Sequence, residues 1–243
     1  MILAGKTAVV TGGALRIGRE IGRVLAEQGV HVCVHYHNSV AAAQAAVEEF
    51  KSLGVRATSI RADLQTPLEA ARGIMHHAAS TLGPVQILIN SASIFDSGSL
   101  LSTDESHWDR ELTVNLKAPF FLSQEFVRLL PGEMSGAIVN LVDWRGERTP
   151  PGHAAYTISK AGLIAQTRLL AQELGPQVRV NAVAPGAILP PHGESPAEYQ
   201  QRSTNNPLKT TGSPAEIARA VIYLLTAPFV TGDILHVTGG VEL

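Results

Sequence analysis

One cysteine, Cys33, stands among 243 residues. An intrachain disulfide is therefore excluded, and so are metal centres built from four thiolates. Charge is also scarce, with Asp, Glu, Lys and Arg making up 16% of the chain. The 19 basic and 21 acidic residues leave a net charge of −2, without the basic excess of a nucleic-acid binder. No apolar run reaches the roughly 18 residues that cross a bilayer. Lys6 interrupts the apolar start at Met1–Gly5, and no signal-peptide core follows, so a cytoplasmic protein with no membrane partner is expected. No composition break marks a linker and no repeat appears, so one domain over residues 1–243 is expected. The 45% of hydrophobic residues suffice for a sizeable core.

What the chain does contain is an alternation. Short apolar, β-branched runs at Thr7–Thr11, His31–Tyr36, Val55–Arg61, Val85–Asn90, Ala137–Val142, Val178–Val183 and Ile234–Val237 read as strands. Between them lie helical stretches at Arg16–Gln28, Ser39–Leu53, Pro67–Leu82, Asp104–Leu130, Ala154–Leu174 and Pro214–Leu225. Pro119 is placed to kink the longest of these. Strands alternating with helices form parallel βαβ units, and right-handed crossovers wind them into a Rossmann-type α/β sheet of about seven strands, with helices on both faces. Four prolines and many polar residues between about 188 and 212 predict a mobile substrate loop, with Tyr199 a candidate to close on a ligand.

The first strand runs into Thr11-Gly12-Gly13-Ala14-Leu15-Arg16-Ile17-Gly18. In a doubly wound sheet this turn offers backbone N–H groups and a helix N-terminus to a pyrophosphate. Gly12 allows the tight turn and Gly18 the close approach of helix to sheet. Arg16 stands where a glycine is common. Its guanidinium suits a phosphate or an anionic substrate edge, the plainer reading being a solvated first-turn arginine. At the end of the second strand, His35-Tyr36-His37-Asn38-Ser39 carries no acid to bind ribose hydroxyls. His35, His37, Asn38 and Ser39 can instead donate to a ribose phosphate, which points to NADP(H) as cofactor. No third ligand accompanies the two histidines at zinc spacing, and no metal site is read. Tyr156 and Lys160 share one helix face, where the ammonium is expected to lower the phenol's pKa and poise it as a proton donor.

With these pieces the chain resembles the short-chain dehydrogenase/reductase superfamily over nearly its whole length. Ala62-Asp63-Leu64, Asn90-Ser91-Ala92-Ser93, Val114-Asn115-Leu116, Tyr156-Thr157-Ile158-Ser159-Lys160, Pro185-Gly186 and the tail Val230-Thr231-Gly232 with Gly239-Gly240 complete the match. The resemblance implies Asp63 at the adenine, Asn90, Ser91 and Ala92 along the cofactor, and Asn115 holding a relay water. It implies Tyr156 as acid and Lys160 at the nicotinamide ribose. Ile17, Leu64, Pro185, Gly186 and Ile188 join the cofactor contacts by the same resemblance, and a homotetramer is the assembly it implies.

Three departures narrow the group: Arg16, Asp143 thirteen residues before Tyr156, and Ser91-Ala92-Ser93-Ile94-Phe95. Asp143 replaces a serine that donates to a substrate carbonyl, and an ionised aspartate only accepts. In these features the chain is similar to pteridine reductases and to dihydromonapterin and dihydrofolate reductases. That similarity implies a pterin substrate bounded by Arg16, Ser93, Phe95, Asp143 and Tyr156. Asp143 and Tyr156 would supply protons to a C=N bond, and NADPH the hydride. The plainer alternatives are Asp143 as a cap paired with Arg145 or Arg148, and Phe95 as a core residue. Trp144 and Arg145 rim the pocket or lie on the surface, His76 and His77 are expected solvated, and Cys33 is expected as buried packing. The rival functions are a general carbonyl or 3-oxoacyl reductase and a non-catalytic NADP-binding sensor.

Overall fold

The computed structural model describes residues 1–190, 195, 197, 199 and 204–243. The strands are β1 (Thr7–Val10), β2 (His31–Tyr36), β3 (Ala57–Arg61), β4 (Val85–Asn90), β5 (Gly136–Leu141), β6 (Val178–Pro185) and β7 (Ile234–Val237). They pair in parallel in the order β3-β2-β1-β4-β5-β6-β7. The chain winds outward from β1 in one direction and from β4 in the other. The strand order therefore reverses between them, and a crevice opens there at the carboxyl ends.

Alternation along each strand covers both faces. Ala8 and Val10 of β1, Val32 and Val34 of β2, and Ile87 and Ile89 of β4 enter one core. Val9, Cys33 and Leu88, at the positions between, enter the other. On the first face pack α1 (Arg16–Glu27), α2 (Val40–Ser52) and α8 (Pro214–Thr226), through Ile21 and Leu25, Phe50, and Val221 and Leu224. On the second pack α3 (Pro67–Leu82), α5 (Ala118–Leu129) and part of α7 (Ala154–Leu174), through Ile74 and Met75, Leu122 and Phe126, and Leu170. Cys33 is fully buried, and burial pushes its thiol up to about 12.

The long helical stretch before β5 is not one helix kinked at its proline. It comprises α4 (Glu105–Leu112), a π-helical turn at Thr113–Lys117 and α5. Pro119 has no N–H for the Asn115 carbonyl to accept in an α-helical ladder, so the irregularity falls in the turn before it. A four-residue helix, α6 (Arg145–Arg148), follows β5 and is not evident from periodicity. Val55 and Arg56 lie outside β3, and β6 runs on to Pro185. Ser39 holds the N-cap position of α2 without a side-chain capping bond. His77 is not simply solvated, because its Nε2 lies 3.0 Å from the Thr58 hydroxyl.

Candidate active site

Two cavities of about 390 Å³ each open at the carboxyl ends of the strands. The first is lined by Gly12, Arg16, Ile17, Gly18, His35, His37, Asp63, Leu64, Ser91 and Ala92 among others. The second is lined by Arg16, Ser93, Phe95, Asp143, Trp144, Arg145, Tyr156, Lys160, Pro185, Gly186, Ile188 and Tyr199 among others. Arg16, Ile17, Ser91 and Ser93 belong to both, so the two form one crevice around the β1 turn.

The turn after β1 keeps room for a phosphate. Gly12 has a φ of +63°, and a methyl group on it would meet the Ala92 Cα at 3.0 Å. On Gly18 the methyl would stand 2.4 Å from the Gly12 carbonyl. The α1 N-terminus carries no side-chain cap and no acidic residue in its first turn, which leaves its N–H groups and dipole to an anion. These features fit the pyrophosphate of a dinucleotide. Arg16 adopts a φ of +54°, a region that disfavours residues other than glycine. Its Nη2 donates to the Pro190 carbonyl at 2.9 Å, which joins the phosphate turn to the segment after β6.

Several expected contacts are placed otherwise. The His35 ring turns inward: Gly12 N–H donates to Nδ1 at 3.3 Å, and Nε2 lies 3.2 Å from the Ala62 carbonyl. Burial holds its pKa down at about 4, so it is a neutral brace behind the turn rather than a free donor to a phosphate. His37 lines the crevice, whereas Asn38 and Ser39 do not. The Asn90 amide is buried and donates to Asn140 Oδ1 at 2.8 Å, tying β4 to β5. Thr11 was not singled out in the sequence, yet its hydroxyl oxygen accepts from Ser91 N–H and Ala92 N–H at 3.0 Å each and so shapes the crevice wall.

At the deep end, Tyr156 donates its hydroxyl to Asp143 Oδ2 at 2.8 Å. Asp143 Oδ1 meanwhile accepts Arg145 N–H at 2.8 Å, so one carboxylate both holds the first N–H of α6 and faces Tyr156. Burial raises the Asp143 pKa, partly offset by the Arg145 N–H and Tyr156 hydroxyl bonds and by the nearby Lys160 and Arg145 cations. Lys160 is buried, donates to the Leu141 carbonyl at 2.8 Å, and lies 5.6 Å from the Tyr156 ring centre. Burial lowers its pKa to about 8. The expectation that Lys160 brings the Tyr156 phenol toward neutrality is not met, since burial and the Asp143 charge push it well above its ordinary value.

Phe95 is exposed to the crevice rather than cored, with its ring edge-on to Tyr156 at 4.6 Å. It stacks on His153 at 4.0 Å, a contact no sequence pattern announced. The Arg145 guanidinium stands 5.8 Å from the Phe95 ring centre and 5.3 Å from that of Trp144. Ser93 donates to Asn115 Oδ1 at 3.0 Å. Asn115 lines neither cavity and stands behind the Ser93–Ile94 wall. The buried Tyr199 lines the crevice, while most of the loop between Pro190 and Thr204 lies outside the described residues.

The family profile described as enoyl-(acyl carrier protein) reductase matches residues 13–242. A 3-oxoacyl-[acyl-carrier-protein] reductase FabG of Staphylococcus epidermidis is 36% identical over 243 residues, covering 98% of this chain and 99% of the relative. The chain belongs to the short-chain dehydrogenase/reductase family. Among solved structures, FolM alternative dihydrofolate reductase 1 from Brucella canis, complexed with NADP, superposes with a TM-score of 0.95 at 34% identity, covering 99% of this chain and 95% of its own. A blue fluorescent protein from a metagenomic library, in complex with NADPH, gives 0.90 at 34% identity and 99% coverage of both chains. The chain is accordingly an oxidoreductase of a family that uses nicotinamide cofactors.

Proposed function

We propose that this oxidoreductase uses NADPH to reduce a C=N bond of a pterin-type substrate. The observation that carries the reading is the Asp143 carboxylate 2.8 Å from the Tyr156 hydroxyl. A ketone reductase needs a neutral donor for a developing alkoxide, and a carboxylate there repels it. The same carboxylate can accept from ring N–H groups, and its burial-raised pKa favours its taking up a proton and passing it to a ring nitrogen. The exposed Phe95 ring supplies a flat wall for a flat substrate. The solved dihydrofolate reductase-like relative supports the same substrate class.

NADP(H) is the cofactor. The Gly12–Gly18 turn would hold its pyrophosphate, His37 and the acid-free end of β2 its ribose phosphate, and Lys160 its nicotinamide ribose. When bound, it supplies the hydride that adds to carbon. The protein supplies the proton: Asp143 or Tyr156 gives it to the nitrogen, and the Lys160 ammonium stands ready to restore it. By the family resemblance, Asn115 would hold a relay water behind this pair. Phe95, Ser93 and Arg16 orient the ring, and that positioning saves activation entropy.

The FabG relatives favour a second reading, reduction of a 3-oxoacyl thioester. One experiment separates the two. NADPH consumption is followed with dihydrobiopterin, dihydromonapterin, dihydrofolate and an acetoacetyl thioester, for the wild type and for Asp143→Ser. Pterin turnover that falls roughly 10²–10⁴-fold in Asp143→Ser is the expected result. Turnover of the thioester alone, or pterin kinetics indifferent to Asp143→Ser, overturns it. Tight NADPH binding with no turnover would return the protein to a sensing role.

A further inference from the structure

Among the described residues Glu111 is the one acidic residue with no side-chain exposure, and the chemistry above does not use it. It lies in the last turn of α4, four residues before Asn115. A buried carboxylate is costly unless its oxygens are bonded, and both of these are. Oε2 accepts the Asn115 amide at 2.6 Å, and Oε1 accepts Asp96 N–H at 2.8 Å. His107 Nε2 lies 3.9 Å from Oε1 and is buried without a hydrogen-bond partner among the described residues. Asp96, His107 and Glu111 bring ligand atoms within 4.8 Å of one another. A cation already serves that cluster, because Arg110 binds Asp96 at 2.6 Å.

An asparagine amide has two orientations of nearly equal shape, and only its partners choose between them. In this one, Asn115 Oδ1 accepts from the Ser93 hydroxyl and from Ile94 N–H, each at 3.0 Å. Its Nδ2 has two hydrogens, for Glu111 at 2.6 Å and the Ile94 carbonyl at 3.0 Å, with the Ser159 hydroxyl at 3.2 Å sharing one of them. Ser159 carries its own hydrogen toward the Tyr156 carbonyl at 2.7 Å. Reversing the amide would set Oδ1 against the Glu111 carboxylate and the Ile94 carbonyl together. It would also set Nδ2 against the Ile94 N–H.

We propose that Glu111 is a positioning residue for the reduction: its acceptor-only carboxylate fixes the direction of the Asn115 amide, and with it the Ser93 hydroxyl, the Ile94 wall and the π-helical turn. The proposal rests on the part read for Asn115 in the proton relay. A glutamine in this place meets two N–H donors with one oxygen, so its own NH₂ opposes one of them. The Asn115 amide then turns or loosens while the volume stays the same.

The test compares wild type, Glu111→Gln, Asn115→Ser and the double variant. NADPH is paired with whichever of dihydrobiopterin or acetoacetyl thioester the wild type reduces. Glu111→Gln is expected to lower kcat about 10- to 100-fold, in the range of outer partners that orient a functional ligand, with KM for NADPH changed less than about twofold. Asn115→Ser is expected to lower kcat at least as far. The double variant is expected to be no worse than Asn115→Ser, because the two act as one unit. An unchanged kcat in Glu111→Gln, or losses that multiply in the double variant, overturns the proposal while leaving the Asn115 reading in place. Wild-type kcat in Asn115→Ser overturns that reading, and the route through Asn115 with it. If Glu111→Gln folds poorly, Glu111→Asp keeps an acceptor-only group one methylene shorter. It is expected to retain more kcat than Glu111→Gln, and the opposite ranking means that shape, not bonding direction, is what position 111 supplies.

Discussion

The buried Lys160 ammonium is packed between the Leu141 carbonyl and the Tyr156 ring. Burial lowers its pKa to about 8, while the Asp143 and Glu111 charges resist that fall. In the ligand-free protein the ammonium is held below that pH and lost above it. Because kcat/KM reports the free enzyme, its profile is expected to descend as pH rises through about 8. A flat profile to pH 10 would show that the lysine keeps its proton throughout. The i,i+4 spacing of Tyr156 and Lys160 was legible in the sequence, but the direction of the phenol's pKa was not. That direction depends first on burial and then on Asp143, which follows β5, thirteen residues upstream.

At the scale of elements, the phosphate turn is held from behind. The neutral His35 ring on β2 takes Gly12 N–H on one nitrogen and faces the Ala62 carbonyl with the other. Its ordinary pKa of 6.5 falls to about 4 in the fold. Above about 6.5 both folded and unfolded chains hold it neutral, and no stability is lost. Between about 6.5 and 4 only the unfolded chain binds the proton, so stability declines as pH falls, by roughly 3 kcal/mol in all. Glutamine can accept from Gly12 and donate to Ala62 without titrating. His35→Gln is therefore expected to flatten this part of the stability–pH curve, measured by urea unfolding, and equal slopes in the two proteins would remove His35 as its source. Most elements were readable from apolar periodicity and from glycine and proline at their ends. The π-helical turn was not, because a π turn carries no period of its own and only the proline hints at it. α6 was missed because four residues are too few to show a pattern.

For the whole molecule, the reversal of strand order between β1 and β4 sets one crevice across the sheet, with the phosphate turn near its middle. Binding that spans both cavities joins the two halves of the sheet and stabilises only the folded chain. At about 100 times its Kd a ligand adds about 2.7 kcal/mol, which in a chain of this length raises Tm by roughly 5–10 °C. NADPH is expected to reach that shift at a lower concentration than NADH, since no acid at the end of β2 opposes the ribose phosphate. Equal shifts at equal concentrations would place the preference elsewhere. The fold class was open to the sequence because the central strands β1, β4 and β5 are buried on both faces and read as largely continuous apolar runs. The pairing of Phe95 with His153 was not, since it depends on where the start of α7 comes to rest, and the contact of Glu111 with Asn115, though local, runs into a π turn that carries no period of its own.

The solitary thiol has a practical consequence as well. Cys33 is sealed inside the second core with its pKa pushed to about 12, so the native surface offers nothing to a maleimide. A cysteine introduced at the exposed Leu208 would therefore be the sole labelling handle. A single fluorophore could be attached there without any native residue having first to be removed.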